Sequence, residues 1–195
     1  MTTATPIIET PRLILRNWVE ADRPFFHEIN SDPTVMEFFP ALRSREQSDA
    51  LMDRVQDMIT ADSFGFYALE EHATGDVVGF TGLMKTDIEP FITKDTLEIG
   101  WRMAQRHWGK GYVTEAAQAC LDYAFDTRDQ QEVVSFAVHD NHRSTAVMKR
   151  IGMIHHPERD FDHPSVPDTH PHLKHHVLYT INKQQWLNQS LKTTA

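Results

Sequence analysis

One stretch restricts what this chain can fold into more than any other. Leu97-Glu98-Ile99-Gly100-Trp101-Arg102-Met103 alternates apolar and polar residues with the period of a strand. Within Thr114–Asp126, Ala117, Cys120, Leu121, Ala124 and Phe125 recur with the period of a helix. Between them lies Trp108-Gly109-Lys110-Gly111-Tyr112-Val113, so the chain runs strand, glycine turn, helix. That order suits a phosphate. Glycines let backbone N–H groups approach closely, and the first helical turn adds unpaired donors and the positive end of its dipole. The GxxxxGK[ST] pattern is absent, and Gly109 and Gly111 lack the third glycine of GxGxxG.

Composition narrows the function classes. A chain of 195 residues with 40% hydrophobic and 24% charged content fits one globular domain of ordinary size. With 28 acidic against 19 basic residues the formal charge is −9, which argues against a nucleic-acid partner. No apolar run approaches the ~18 residues of a membrane span. Met1–Pro6 has no basic stretch ahead of an apolar core, and the one cysteine, Cys120, falls on the apolar helix face. Both points predict a cytoplasmic protein with no membrane association.

Along the chain, Glu9–Arg16 reads as a strand with Leu13 and Leu15 inward and Arg12 and Arg16 outward. Glu20-Ala21-Asp22 opens a helix with Phe25, Phe26 and Ile29 on one face, stopped at Ser31-Asp32-Pro33. Ser44 and Gln47 form a capping box ahead of a helix carrying Leu51, Val55, Met58 and Ile59. Phe64–Leu69 and Val77–Met84 read as a hairpin around Ala73-Thr74-Gly75-Asp76, with Gly79 and Gly82 allowing a bend, and Asp87–Lys94 as a loop. Glu132–Val138 is a strand, followed by a short helix that Asn141 can cap and Gly152 can end. His175–Ile181 is the last strand.

Glu98-Ile99-Gly100-Trp101, Trp108–Tyr112 and Thr114-Glu115-Ala116 together resemble the acyl-CoA-binding segment of the GCN5-related N-acetyltransferases (GNAT), in the RimJ/RimL branch that acetylates ribosomal-protein N-termini. The family segment is Q/R-x-x-G-x-G/A. Arg106–Gly111 matches it literally. Aligning on Thr114-Glu115-Ala116 instead puts Trp108 first, Gly111 at the glycine and Val113 last, the register preferred here, with Trp and Val as departures. Thr10-Pro11-Arg12-Leu13-Ile14-Leu15-Arg16 resembles the family's opening, and Asn141-x-x-Ser144 its second signature.

The resemblance implies an α/β (α+β) fold, with a mixed, mainly antiparallel, bent sheet of about six to seven strands and about four helices. A single domain would span residues 8–186, with flexible ends at 1–7 and 187–195. It implies acetyl-CoA as co-substrate, bound by Met103, Trp108, Gly109, Lys110, Gly111, Tyr112, Val113 and Thr114, with Asn141 and Ser144 beside the pantetheine arm. It also implies direct attack by an amine, the backbone N–H near Met103 polarising the thioester carbonyl, and a linker carrying Met36, Phe38, Phe39 and Leu42 that walls the acceptor pocket. The acceptor is a small amine or a protein N-terminus, and the protein a monomer or homodimer.

Such a reaction needs a base, because an alkyl amine with a pKa near ~10.4 is protonated at neutral pH. Glu98, on the strand face opposite Leu97 and Ile99, is the first candidate, with His139 and His163 in reserve. Ser144 and Tyr179 are candidates for protonating the thiolate. His155–Pro171 holds four of the ten prolines, and His155–His176 seven of the twelve histidines. His170, His172, His175 and His176 have imidazoles at ligand-like spacing, but no cysteine partner and interrupting prolines, so no metal is expected. The segment instead reads as a long loop over the acceptor, with Asp162 and His163 near it. The alternative is a non-catalytic CoA-binding or His-rich metal-binding module on the same fold.

Overall fold

The computed structural model describes residues 6–193. The strands are β1 (Pro6–Glu9), β2 (Leu13–Arg16), β3 (Phe66–Glu71), β4 (Val77–Ile88), β5 (Ile92–Met103), β6 (Glu132–Val138), β7 (Ile154–His155), β8 (Phe161–Asp162) and β9 (His175–Asn182). The helices are α1 (Arg23–Ser31), α2 (Arg45–Asp62), α3 (Tyr112–Asp122), α4 (His142–Arg150) and α5 (Lys183–Thr193). The sheet order is β1-β2-β3-β4-β5-β6-β9-β7, with β8 also on β9. β5 and β6 pair in parallel, while β1–β2, β2–β3, β3–β4 and the pairs made by β9 are antiparallel.

The mixed, mainly antiparallel α/β architecture is as expected. The element counts are larger: nine strands and five helices among the described residues. β7 and β8 are two residues each, too short to show a period of their own; the edge of β9 specifies them. The loop expected at Asp87–Lys94 is mostly strand, because β4 runs on to Ile88 and β5 begins at Ile92. At the ends, β1 begins at Pro6 and α5 continues to Thr193, so secondary structure enters both segments read as flexible; residues 1–5 and 194–195 lie outside the described residues.

The chain divides into two compact units. One takes in the chain up to Met84 together with Gly100–Cys120, the other Lys85–Ile99 together with the chain from Leu121 onward. In the first, Leu13, Leu15, Phe26, Ile29, Met52, Val55, Ile59, Tyr67 and Leu69 are buried. Trp18 meets Phe26 edge-on at 4.7 Å and donates its indole N–H to the Phe66 carbonyl. The capping box forms as read: Ser44 Oγ accepts from the Gln47 N–H, and Gln47 Oε1 from the Ser44 N–H at 2.9 Å.

Arg16 corrects the sequence reading. It is 6% exposed, not outward, because its guanidinium meets Asp22 at 2.7 Å and Glu70 at 2.6 Å. A buried arginine needs such partners.

In the second unit Ile88, Ile92, Val134, Phe161 and Leu178 form a buried cluster. Phe125 lies 6.3 Å from Trp186, whose indole N–H reaches Asp122. α4 ends in a Schellman turn. The Met153 N–H bonds to the Met148 carbonyl and the Gly152 N–H to that of Lys149, with Gly152 at φ +83°.

Gly79 and Gly82 are placed for close approach. A Cβ on Gly79 would lie 2.5 Å from the Arg102 carbonyl oxygen, and one on Gly82 1.8 Å from that of Gly65. The second clash is with backbone in a paired strand, where Gly82 faces Phe66, so nothing can swing aside. Gly82→Ala should therefore lower the unfolding free energy by about 3 kcal/mol or prevent folding. Urea denaturation checks this, and a variant within experimental error of wild type would refute the close approach.

Candidate functional site

The glycine turn is held in the first unit. After β5 ends at Met103, a short 3-10 turn over Gln105–His107 leads to Trp108, whose indole N–H donates to the Met103 carbonyl at 2.9 Å. Gly109 follows at φ +75° and Gly111 at φ +80°, both in the left-handed region, and α3 begins at Tyr112. Space is not what demands glycine here. A Cβ on Gly109 meets nothing within 4 Å, and one on Gly111 meets only Arg12 Nη2 at an ordinary 3.5 Å. The demand is conformational, since residues with side chains avoid this φ. The N–H groups of the first turn of α3 have no intrahelical acceptor. With the helix dipole, Lys110 and the Arg12 guanidinium nearby, a pyrophosphate-type anion fits this arrangement. The two motif registers share Trp108–Gly111.

The turn is fastened from two sides. The Glu115 carboxylate accepts from the Thr10 hydroxyl at 2.6 Å, the Arg12 N–H at 2.9 Å and Arg12 Nε at 2.6 Å. Arg12 Nη1 reaches the Lys110 carbonyl at 2.9 Å, and its guanidinium lies 4.8 Å from the centre of the Tyr112 ring. The Tyr112 hydroxyl donates to Glu71. Burial alone would raise the Glu115 carboxyl, but the bonds from Thr10 and Arg12 hold it below its ordinary value.

In the second unit, Glu98 lies on β5 in register with Val134 of β6, which is itself in register with Thr180 of β9. Residues in register share a sheet face, so Glu98 stands on the face of Val134, Phe136 and Leu178. Burial pushes its carboxyl up to about 7, and the hydrogen bond from Thr86 partly offsets this. Tyr179 is in register with Ser135 and therefore stands on the opposite face from Glu98. It is 4% exposed and stacks on His155 at 4.8 Å. Asn141 caps α4, its Oδ1 accepting from the Ser144 N–H at 3.1 Å, which leaves its amide NH2 and the Ser144 hydroxyl at the start of the helix.

The histidine-rich segment departs from the loop expected of it. β7 and β8 lie along β9, with a short 3-10 turn over Pro157–Arg159 between them, and the longest irregular part is residues 163–170. His155 bonds Asp160 at 3.0 Å, and His156 bonds Thr180 at 3.1 Å. His163 and His176 pack with Phe136 and Phe161, their own ring centroids 5.0 Å apart. Burial pushes the His176 imidazole down to about 4 and also lowers His163. His139, 45% exposed at its side chain, pairs with Asp140. Among the described residues no group of three His, Cys, Asp or Glu is placed to hold a metal.

Sequence reasoning missed three features. Thr86, the partner of Glu98, fell at the margin of an expected loop. The link between Thr10, Arg12 and Glu115 joins two motifs that were read separately. Arg43 carried no periodic or motif signal, and Arg102 read only as a polar position of the β5 alternation.

With this geometry in place, comparison with known proteins is informative. The acetyltransferase (GNAT) domain family matches residues 12–154. YkkB of Bacillus subtilis is 32% identical over 145 residues, covering 74% of this chain and 83% of its own. FsC-acetyl coenzyme A-N(2)-transacetylase of Aspergillus fumigatus is 30% identical over 189 residues, covering 94% of this chain and 79% of its own. The crystal structure of a GNAT-family acetyltransferase from Bacillus anthracis superposes with a TM-score of 0.76 at 25% identity, covering 91% of this chain and 98% of that one. The chain belongs to the GNAT acetyltransferases and is an acetyl-CoA-dependent acyltransferase.

Proposed function

We propose that the protein transfers an acetyl group to a primary amine by direct attack, without an acyl-enzyme, and that Glu98 is the base. The observation that carries this is a desolvated carboxyl on β5, bonded to Thr86 and titrating near 7. A base tuned close to the working pH combines availability with proton-accepting strength. The one cysteine supports direct attack: Cys120 is 0% exposed and burial pushes its thiol up, the reverse of an activated nucleophile.

Acetyl-CoA, when bound, supplies the activated thioester. The N–H groups from Gly109 to Thr114 hold the pyrophosphate, with Lys110 and the Trp108–Met103 bond keeping the turn in place. The Met103 N–H donates to the acetyl carbonyl, Asn141 contacts the pantetheine arm, and Ser144 returns a proton to the thiolate. Tyr179 is the weaker candidate for that last role, since it faces away from Glu98. The acceptor is a small amine or, as in the RimJ/RimL branch, a protein N-terminus, and the lone buried cysteine favours work in the cytoplasm.

Two outcomes follow. Gly111→Val should weaken acetyl-CoA binding at least tenfold, because a β-branched residue resists φ near +80°. Calorimetry that finds unchanged affinity in a folded variant would remove the turn from the cofactor site.

Glu98→Gln should lower kcat/KM by about a hundredfold or more. In the wild type, kcat/KM should rise with pH through about 7 as the carboxyl loses its proton, and the variant should lack this limb. The stability sign is opposite. A carboxyl raised on folding contributes stability at low pH that is lost as pH rises through about 7, so Glu98→Gln should resist urea better than wild type at pH 8. An unchanged pH limb in the variant would exclude Glu98 as the base.

A further inference from the structure

Most arginines in the first unit meet an acid. Arg12 pairs with Glu115, Arg16 with Asp22 and Glu70, Arg23 with Glu20 and Asp53, Arg45 with Asp49, and Arg106 with Glu28. Arg43 and Arg102 break this rule. No carboxylate among the described residues pairs with either, and the Nε of each is buried without an acceptor. Arg102 is lowered to about 9 by burial first and then by the charge of Arg43, and so remains a cation at neutral pH. Two neighbouring cations, each half-buried with an unsatisfied Nε and no counter-ion, are unfavourable unless something anionic joins them.

The pair is also built. Asn30, 0% exposed, touches both residues: its backbone carbonyl accepts the backbone N–H of Arg43 at 2.9 Å, and its side-chain oxygen accepts from Arg102 Nη1. The Asn30 amide is oriented by donating to the Phe26 carbonyl at 2.6 Å. The Arg102 guanidinium lies 4.3 Å from the Phe39 ring centre and 5.4 Å from that of Phe80. With its faces against rings, Nη1 on Asn30 and Nε buried, the Nη2 end of the fork is the part left to a planar carboxylate. Phe39, 43% exposed, makes the outer wall. None of these groups belongs to the glycine turn and α3, which suit the donor's phosphates.

We propose that Arg43 and Arg102 bind the carboxylate of the acceptor, so that the amine acetylated is of the amino-acid type. This rests on the transfer reading above. The test is a panel of amino acids, each beside its amide and its decarboxylated amine, with acetyl-CoA. Members bearing a carboxylate should be the good substrates. Arg43→Gln and Arg102→Gln should each raise their KM at least tenfold, the worth of one charge-assisted hydrogen bond, with acetyl-CoA affinity unchanged. Arg43→Lys, which keeps the charge but not the fork, should fall between.

A thermal-shift titration with the same amino acids gives a readout independent of turnover: they should raise the melting temperature of wild type and not of the Gln variants. Transfer to carboxylate-free amines that both variants leave unchanged would overturn the proposal while the transfer reading stands. An arginine-dependent shift without transfer to any amine would do the reverse. A larger arginine-dependent shift with inorganic phosphate would overturn the carboxylate in favour of a phosphorylated acceptor. Loss of acetyl-CoA affinity in both Gln variants would assign the arginines to the donor and refute the proposal.

Discussion

The Glu115 carboxylate is the constraint on which the glycine turn depends. Two left-handed residues within three positions form a conformation that persists only when its surroundings over-determine it. Glu115 supplies that. From the first turn of α3 it takes hydrogen bonds from Thr10 and twice from Arg12, tying the helix start to the turn between β1 and β2. Arg12 then reaches back to the Lys110 carbonyl, in the middle of the glycine turn. An acid in the first turn also complements the helix dipole. Since its carboxyl is lowered on folding, this contribution is present above the ordinary carboxylate range and fades as pH falls.

This tie explains which parts of the molecule were legible in the sequence. β6 has the bounds read from it, and the apolar face read for the helix is buried as its period requires, with Ala117, Cys120 and Leu121 on α3 and Ala124 and Phe125 in the π-helical turn after it each 0% exposed. Those features are local, so periodicity and glycine carry them. The opening motif and the Thr114-Glu115-Ala116 triplet were each recognisable, yet their partnership was not, because 105 residues separate Thr10 from Glu115. Arg43 and Arg102 were hidden for the same reason. The side to which Tyr179 points depends on the register of β9 against β6, which no residue of either strand declares alone.

Buried charge separates framework from function in both units. Arg16 is desolvated but saturated with acids, and nothing is left over for a ligand. Arg102 is desolvated and unsaturated. Glu98 resembles Arg102 more than Arg16: burial dominates its titration, and a neutral hydroxyl, not a cation, is its partner. A lysine or arginine beside Glu98 would have drawn its proton affinity down and left a weak base. Thr86 instead steadies the carboxyl while leaving it near neutral.

The choice of base follows from the same comparison. His163 shares the aromatic cluster of Phe136 and Phe161, its Nδ1 accepts the Ser165 N–H, and burial lowers its imidazole. His176 donates from Nδ1 to the Lys174 carbonyl and is lowered to about 4, so it serves as a neutral ring in the packing of β8 on β9. Burial acts on these groups with opposite signs, weakening an imidazole as a base and strengthening a carboxylate. In an apolar setting of this kind the carboxylate is therefore the better proton acceptor. His163 and His176 give the second unit packing rings, and under the proposed reaction Glu98 is the group whose raised proton affinity suits the task.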